Sequence, residues 1–419
     1  MNENVNELKR EETSKEENIV CENKLTTQSN NDNNKEVALI KNEFISKKRN
    51  RNHILEGSRS IENYEHLNKI DEGSYGVVFR GKEHETNTIV AIKKVKLHKE
   101  KEGFPITSIR EINILLSLHH ENIIKVNEVV IGNSIDKIFM VMEYMDHELK
   151  ALLADNRYKF SLSQVKCLTY QLLKGVQYMH SNWIFHRDLK TSNLLFNNKG
   201  VLKIADFGLA RKYGNPLRPY TQLVVTLWYR APELLLGCDK YGASIDMWSV
   251  GCIIAEILLR DPLFQGQEEI DQLNKIFRML GTPTEEVWPE WSLLPGVKKI
   301  NFKKFTQNKL RERFPKIPIN QDDLYLSDVG LDLINKLLIY DPNKRMTAEA
   351  ALKHPWFKEH PSMCSVNEMP IFPELNDKER EISKKNRKKS LDDVQIQQRE
   401  NLYGDEERGH KEDIEYLDK

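Results

Sequence analysis

Long apolar runs are missing from this 419-residue chain. The stretch that comes nearest, residues 248–259, is broken by Glu256 and is too short to cross a bilayer, so no membrane span is expected. Cysteine is scarce and scattered. Cys21, Cys167, Cys238, Cys252 and Cys364 form no CxxC pair and no Cys/His set with zinc spacing, and their odd number fits a reducing compartment. Cys252, inside the apolar stretch, reads as a small core residue. Charge imbalance is missing too. Basic and acidic side chains number 63 each, which argues against a globally basic nucleic-acid binder and leaves only local patches. The start is polar, with no signal-peptide core, and reads Met-Asn, not Met-Gly; the end is not CaaX. Together these absences predict a soluble, intracellular protein.

What is present divides into three stretches. Residues 1–60 are rich in Asn, Glu and Lys, have Phe44 as their only aromatic and contain no proline. Such a stretch buries too little apolar surface to offset the entropy of ordering it, so it is predicted to be a disordered extension. Residues 376–419 are predicted to be a similar charged, disordered tail. Each carries a basic cluster, Lys47-Lys48-Arg49-Asn50-Arg51 and Lys384-Lys385-Asn386-Arg387-Lys388-Lys389. The bland reading of both is solvated surface; the alternative is a nuclear-import or phosphate-binding patch. Hydrophobic residues at 39% and charged residues at 30% fit a folded domain diluted by such tails.

Residues 64–357 have the texture of that domain. "HLNKIDEGSYGVVFRGK" and "NTIVAIKKVKL" alternate β-type residues around a glycine turn, which predicts antiparallel strands. "KIFMVMEYM" reads as another buried strand, and after "HELKALLA" the apolar spacing turns helical. A strand-rich part at 64–145 and a helix-rich part at 146–357 predict an α+β fold in two lobes. Between the strands, "EGFPITSIREINIL" reads as a helix with two apolar sides. Ile106, Ile109, Ile112 and Leu116 form one stripe, while Glu111 lies on another side with Ile114 and Leu118.

Chemistry-bearing residues recur in a fixed order. "EGSYGVV", residues 72–78, is a tight turn whose glycines let backbone N–H groups approach phosphates. "VAIK" follows and ends on Lys93, a cation suited to phosphates. In "HRDLKTSNLLF", Asp188 can accept a hydroxyl proton, Lys190 can hold a transferring phosphoryl group and Asn193 can ligate magnesium. "DFG" supplies Asp206 as a second oxygen ligand; "APE" (Ala231-Pro232-Glu233) and Asp246 in "SIDMWSVG" follow. The rival reading, helix caps and salt bridges only, does not account for the whole ordered set.

This set resembles the signature of the eukaryotic protein kinases, and the resemblance covers residues 64–357. It implies a bilobal kinase fold with ATP and Mg2+ as cofactors. By it, Lys93 holds the α- and β-phosphates and pairs with Glu111, Asp188 orients and deprotonates the substrate hydroxyl, and Asn193 and Asp206 bind magnesium. Lys190 and Thr226 resemble the serine/threonine-specific type. Glu233 is expected to pair with Arg345 as a bridge between helices, and His186 to be a packing residue. The ATP site would comprise Ile70, Asp71, Glu72, Gly73, Ser74, Tyr75, Gly76, Val77, Val78, Ala91 and Leu195. Met142 would stand behind the adenine, and Glu143 and Met145 would offer it backbone groups.

The resemblance narrows further. "PITSIRE" differs by one Ile-for-Leu change from the helix that names the PITSLRE cyclin-dependent kinases, and "YTQLVVTLWYRAPELLLG" and "GTPTEEVWP" are also similar to cyclin-dependent kinases. This implies that Glu111 faces the core while Ile106 and Ile109 press on a cyclin of the L type, whose docking completes the Lys93 pair. Arg110, Arg187 and Arg211 would converge on a phosphate at Thr221. Ser74 and Tyr75 match inhibitory phosphorylation positions. Asp71 departs from the usual first glycine of the loop, a change the PITSLRE-type members share. Val224, Val225 and Arg230 match the pocket that favours proline after the target residue, so Ser/Thr-Pro proteins in transcription, pre-mRNA processing or the cell cycle are the implied substrates. The nucleus is the expected location, with the cytoplasm as a second. No direct nucleic-acid or membrane partner is expected. The rival readings are a pseudokinase scaffold, a sister branch with a PISSLRE-like helix, and a mitogen-activated kinase. The last is opposed by Thr221-Gln222-Leu223, which lacks that family's tyrosine.

Overall fold

The computed structural model describes residues 59–73, 76–95, 106–134, 137–214, 220, 225–289, 291–316 and 325–373, without the side chains of 71–73 and 106–107. Outside the described residues lie the tail at 376–419, nearly all of the 1–60 extension, the proposed sites Ser74, Tyr75, Thr221 and Val224, and the side chains of Asp71, Glu72 and Ile106. By its contacts the chain divides after Met369, and every element of the fold belongs to the unit that ends there.

Five strands form one antiparallel sheet, β1 (Tyr64–Gly73), β2 (Gly76–Glu83), β3 (Ile89–Val95), β4 (Val126–Ile131) and β5 (Ile138–Glu143), in the order β1-β2-β3-β5-β4. The register decides which residues share a face. Val78 stands opposite Lys93, and Ala91 opposite Met142, so these four lie on one face. Val90 and Ile92 turn to the other face. There they join Val130, Phe139, Val141, Tyr64 and Ile61 in a closed apolar cluster.

Ile61 was not expected in a core. Ser60 bridges to Ile131 and caps the short 3-10 turn Ile61–Asn63, which drops Ile61 onto the sheet at 2% exposure. Burying such a side chain contributes about 1.5–3 kcal/mol. The folded unit therefore begins at least at Arg59, which corrects the boundary expected after residue 60. Arg59 is held there by Glu83 at 2.7 Å and Glu128 at 2.9 Å.

Helix α1 (Ile106–Ser117) carries two kinds of face, as its spacing predicts. Glu111, Ile114, Leu115 and the following Leu118 are buried, whereas Ile109 and Leu116 are exposed. The helical part begins with β6 (His147–Glu148) and α2 (Leu149–Ala154), followed by α3 (Leu162–Ser181), which Ser161 and Gln164 open with a reciprocal capping box. Short strands β7 (Ile184–Phe185), β8 (Leu194–Phe196), β9 (Leu202–Ile204) and β10 (Arg211–Lys212) frame the loops between them. Then come α4 (Pro232–Leu235) and α5 (Ser244–Leu259). Every α5 residue from Ile245 to Leu258 is buried, Cys252 included, so it is the axis on which the surrounding loops are fixed.

The helical part also runs past the expected end at 357. Lys166 of α3 is fully buried and donates to the carbonyls of Glu359 at 2.9 Å and Pro361 at 2.8 Å. Gly200 has φ +81, and a Cβ there would stand 2.0 Å from the carbonyl oxygen of Val366, so only glycine lets this segment close on the turn. No helix among the described residues is long and apolar enough to cross a membrane.

Candidate active site

Two clusters of charge meet at the junction of the sheet and the helices. In the first, Lys93 Nζ lies 2.6 Å from Glu111 Oε1 and 3.5 Å from Asp206 Oδ1. Burial alone pushes the Lys93 ammonium down, but the charges and hydrogen bonds of Glu111 and Asp206 outweigh it and hold the group above its ordinary value. Glu111 is 5% exposed, and it meets Lys93 because α1 turns that side toward the sheet face shared by Val78, Ala91 and Met142.

The second cluster surrounds Asp188. Its Oδ2 pairs with Lys190 Nζ at 2.9 Å and accepts from Asn193 Nδ2 at 3.1 Å. Its Oδ1 accepts from the backbone N–H and hydroxyl of Thr226, at 3.1 and 3.0 Å. Lys190 Nζ also donates to Thr226 Oγ1 at 3.0 Å. Thr226 thus belongs to the site, which the resemblance marked only as a feature of substrate type.

The loop that carries Asp188 is anchored from below. Asp246, at the start of α5, accepts from the backbone N–H groups of His186 at 2.8 Å and Arg187 at 2.9 Å, and from His180 Nε2 at 3.0 Å. Burial alone would raise the Asp246 carboxyl, and these bonds hold it below its ordinary value. His186 is a packing residue, as expected. Its ring donates to the carbonyl of Ala205 at 3.1 Å, accepts from the N–H of Asp188 and packs edge-on against Phe207. Arg345 grips Glu233 bidentately at 2.6 and 2.9 Å, a buried bridge as expected.

Three non-glycine residues around the cleft adopt left-handed backbone: Arg187 (φ 68), Asp206 (φ 61) and Val225 (φ 66). Each such residue costs of order 1–3 kcal/mol, and the surroundings must hold it. Val225 is β-branched, so its strain is the most telling. Its carbonyl is turned into the guanidinium of Arg230, which donates from Nη2 at 2.9 Å and Nε at 3.2 Å.

Arg187 is 1% exposed, donating to the carbonyl of Leu209 at 2.8 Å and to the Tyr241 hydroxyl at 3.0 Å. Arg211 is pushed down to about 10, by burial first and then by the charges of Arg187 and Arg110. The charges of Arg187 and Arg110 thus reach Arg211. Among the described residues, none of the three is ion-paired with a carboxylate.

The donor set fits a magnesium-bound nucleotide. Asn193 spends its amide N–H on the carbonyl of Asp188 at 2.8 Å and on the Asp188 carboxylate, which leaves its amide oxygen as a hard donor, and Asp206 supplies a carboxylate. Among the described residues no group of three His, Cys, Asp or Glu side chains could hold a metal by itself. Mg2+ takes one or two protein oxygens and completes its shell with phosphates and water. Gly76 has a further reason to be glycine, because a Cβ there would stand 2.5 Å from the carbonyl oxygen of Lys94 on β3. Ala91 and Met145 are buried, and Ile70, Val78, Met142, Glu143 and Leu195 are half-buried.

The family model "Protein kinase domain" matches residues 64–357. This chain belongs to the protein kinase family. Within it, the kinase is similar to cyclin-dependent kinase G-2 of Oryza sativa subsp. indica, at 57% identity over 351 residues, covering 84% of this chain and 49% of the relative. It is similar to cyclin-dependent kinase 11B of Rattus norvegicus, at 53% identity over 319 residues, 76% of this chain and 71% of the relative. The serine/threonine-protein kinase PITSLRE of Drosophila melanogaster is 52% identical over 326 residues, 76% of this chain and 34% of the relative. The kinase spans about half the length of the rice relative. The resemblance read from "PITSIRE" therefore holds, as does the bilobal fold, and the scaffold and sister-branch readings are not favoured.

Proposed function

We propose that this kinase is a cyclin-dependent serine/threonine kinase that transfers the γ-phosphoryl group of Mg-ATP to Ser/Thr-Pro sites. The observation that carries the reading is the arrangement at Asp188, whose carboxylate is shared by Lys190, Thr226 and Asn193 within 3.1 Å. Mg-ATP, when bound, supplies the electrophilic phosphorus and most of the charge neutralisation. Asp188 orients the incoming hydroxyl and takes its proton. Lys190 stabilises the charge that develops on the moving group. Lys93, kept charged by Glu111, holds the remaining phosphates, and Asn193 and Asp206 offer oxygens to the metal. Catalysis is then mainly positioning and electrostatics.

Proline direction is supported by Val225. Its carbonyl is committed to Arg230, so the site has no acceptor there for the N–H of the residue after the target; proline has none to satisfy. Cyclin dependence is supported by the exposed Ile109 and Leu116 on α1, opposite Glu111, and by the names of the relatives. An L-type cyclin as partner, Thr221 as the activating phosphosite, substrates in transcription or pre-mRNA processing, and a nuclear location through the basic clusters extend the same reading.

The test is phosphate transfer from Mg-ATP to a Ser-Pro peptide and its Ser-Ala twin, with and without an L-type cyclin, using Asp188→Asn as blank. Cyclin-dependent, proline-dependent transfer is the expected result. Equal rates on the two peptides would remove the proline pocket, and transfer without cyclin would remove the partner switch.

A further inference from the structure

Thr191 follows Lys190 in the chain and opens the 3-10 turn Thr191–Asn193, yet no role in phosphate transfer has been assigned to it. Its side chain is fully buried. The hydroxyl donates to Glu256 Oε1 at 2.8 Å and lies 3.2 Å from the hydroxyl of Tyr229, which itself donates to Glu256 Oε2 at 2.6 Å. Tyr229 ends the 3-10 turn Leu227–Tyr229, whose N-cap is Thr226. Three side chains therefore close a triangle, in which the turn that carries Lys190 and Asn193 and the turn that follows Thr226 are both rooted on α5.

Glu256 is 3% exposed and both its oxygens are occupied, so the carboxyl is committed to this joint. Burial pushes both the Glu256 carboxyl and the Tyr229 phenol above their ordinary values. The other bonds between the two turns, from Thr226 to Lys190 and Asp188, lie at the cleft, where the Lys190 side chain is 24% exposed. The buried triangle is the dry part of the joint. Loss of one hydroxyl there leaves an oxygen of Glu256 short of a partner and frees the turns to drift.

We propose that Thr191, through Glu256 and Tyr229, is a positioning residue: its hydroxyl fixes Lys190 and Asp188 against Thr226 and thereby sets the rate of phosphate transfer. The inference rests on the function proposed above.

Its test is steady-state transfer by the full chain with cyclin, comparing the parent with Thr191→Val, Thr191→Ser and Tyr229→Phe, with Asp188→Asn as blank. Valine keeps the shape of threonine and removes the hydroxyl; serine keeps the hydroxyl. Thr191→Val is expected to lower kcat about tenfold while KM for ATP stays within about twofold, and Thr191→Ser to restore kcat to within about twofold of the parent. Tyr229→Phe should show the same split, and it carries the test if Thr191→Val does not fold. Parent-like kcat in Thr191→Val or Tyr229→Phe overturns the inference. So does a variant in which kcat, KM for ATP and Tm worsen together without rescue by serine, since that is packing alone. A parent with no Asp188-dependent transfer overturns the proposed function and this inference with it. Active parent with indifferent variants overturns the inference only.

Discussion

Arg110 and Glu111 are neighbours on α1, and their charges are settled in opposite ways. Glu111 turns inward, 5% exposed, and finds Lys93 at 2.6 Å. The charge of Arg110 instead reaches Arg211, which is pushed down to about 10 by burial first and then by the charges of Arg187 and Arg110. One cluster is matched and closed; the other is three like charges with no carboxylate among the described residues. The difference teaches what each is for. A matched pair is satisfied within the fold, whereas unmatched cations in partly buried space repel one another and would be relieved by an anion such as the phosphate proposed at Thr221.

The largest expected effect comes from breaking the matched cluster. Glu111→Ala leaves a buried ammonium with Asp206 at 3.5 Å as its remaining partner. Removing one partner of a buried pair costs about 3–5 kcal/mol, so thermal unfolding should show a clear drop in Tm. Phosphate transfer should fall about 100-fold or more, because Lys93 is no longer held.

Next comes the cluster of arginines. With Thr221 phosphorylated, each charge-assisted bond to an arginine is worth about 1.5–3 kcal/mol. Arg110→Ala should remove about that much of the gain in Tm that phosphorylation brings, and should leave the unphosphorylated chain nearly as stable as before or slightly more so.

The two clusters should also respond oppositely to alkali. Lys93 is held above its ordinary value, so its stabilisation is full below that value and fades only as pH climbs through the raised one. Arg211 is the reverse case. It is pushed down to about 10, below the ordinary guanidinium value, so the unfolded chain holds its proton more tightly. Its contribution opposes folding below pH ~10 and is relieved as pH rises above that. Parent minus Arg211→Gln, compared by Tm at pH 9 and pH 11, should therefore grow in favour of the parent.

The smallest effect on stability is at the exposed rim of α1. Ile109 is 43% exposed, so Ile109→Glu should change stability by no more than about 0.5 kcal/mol. Cyclin binding, measured by titration, should nevertheless weaken at least tenfold, the effect of about 1.4 kcal/mol at an interface contact.

Much of this was legible in the chain itself. Runs such as "HRDLKTSN" and "DFG" carry chemistry at short spacing, and the two-sided spacing of α1 announced both Glu111 and Ile109. What stayed hidden depends on partners far away in sequence. Asp246 reaches back 60 residues to His186, and Glu256 reaches back 65 to Thr191. Glu256 left one signal, a lone acid inside the apolar run at 248–259, and that acid proves to be buried and fully bonded. The left-handed Val225 was not readable because its backbone runs against the local preference of valine, and Arg230 overrides that preference. Ile61 lies between the 1–60 stretch, whose composition points to disorder, and the strand-rich part from 64, and nothing in its local pattern marks it for the core.

We propose that Arg110, Arg187 and Arg211 form a socket for a phosphate at Thr221. The measurement that tests it most directly is transfer to a Ser-Pro peptide, with cyclin present, by phosphorylated and unphosphorylated chain, each as parent and as Arg110→Ala. Phosphorylation should raise the parent's rate at least tenfold, and Arg110→Ala should abolish most of that gain without lowering the unphosphorylated rate, as expected for loss of one or two charge-assisted bonds of about 1.5–3 kcal/mol. A gain of equal size in parent and variant would contradict the claim.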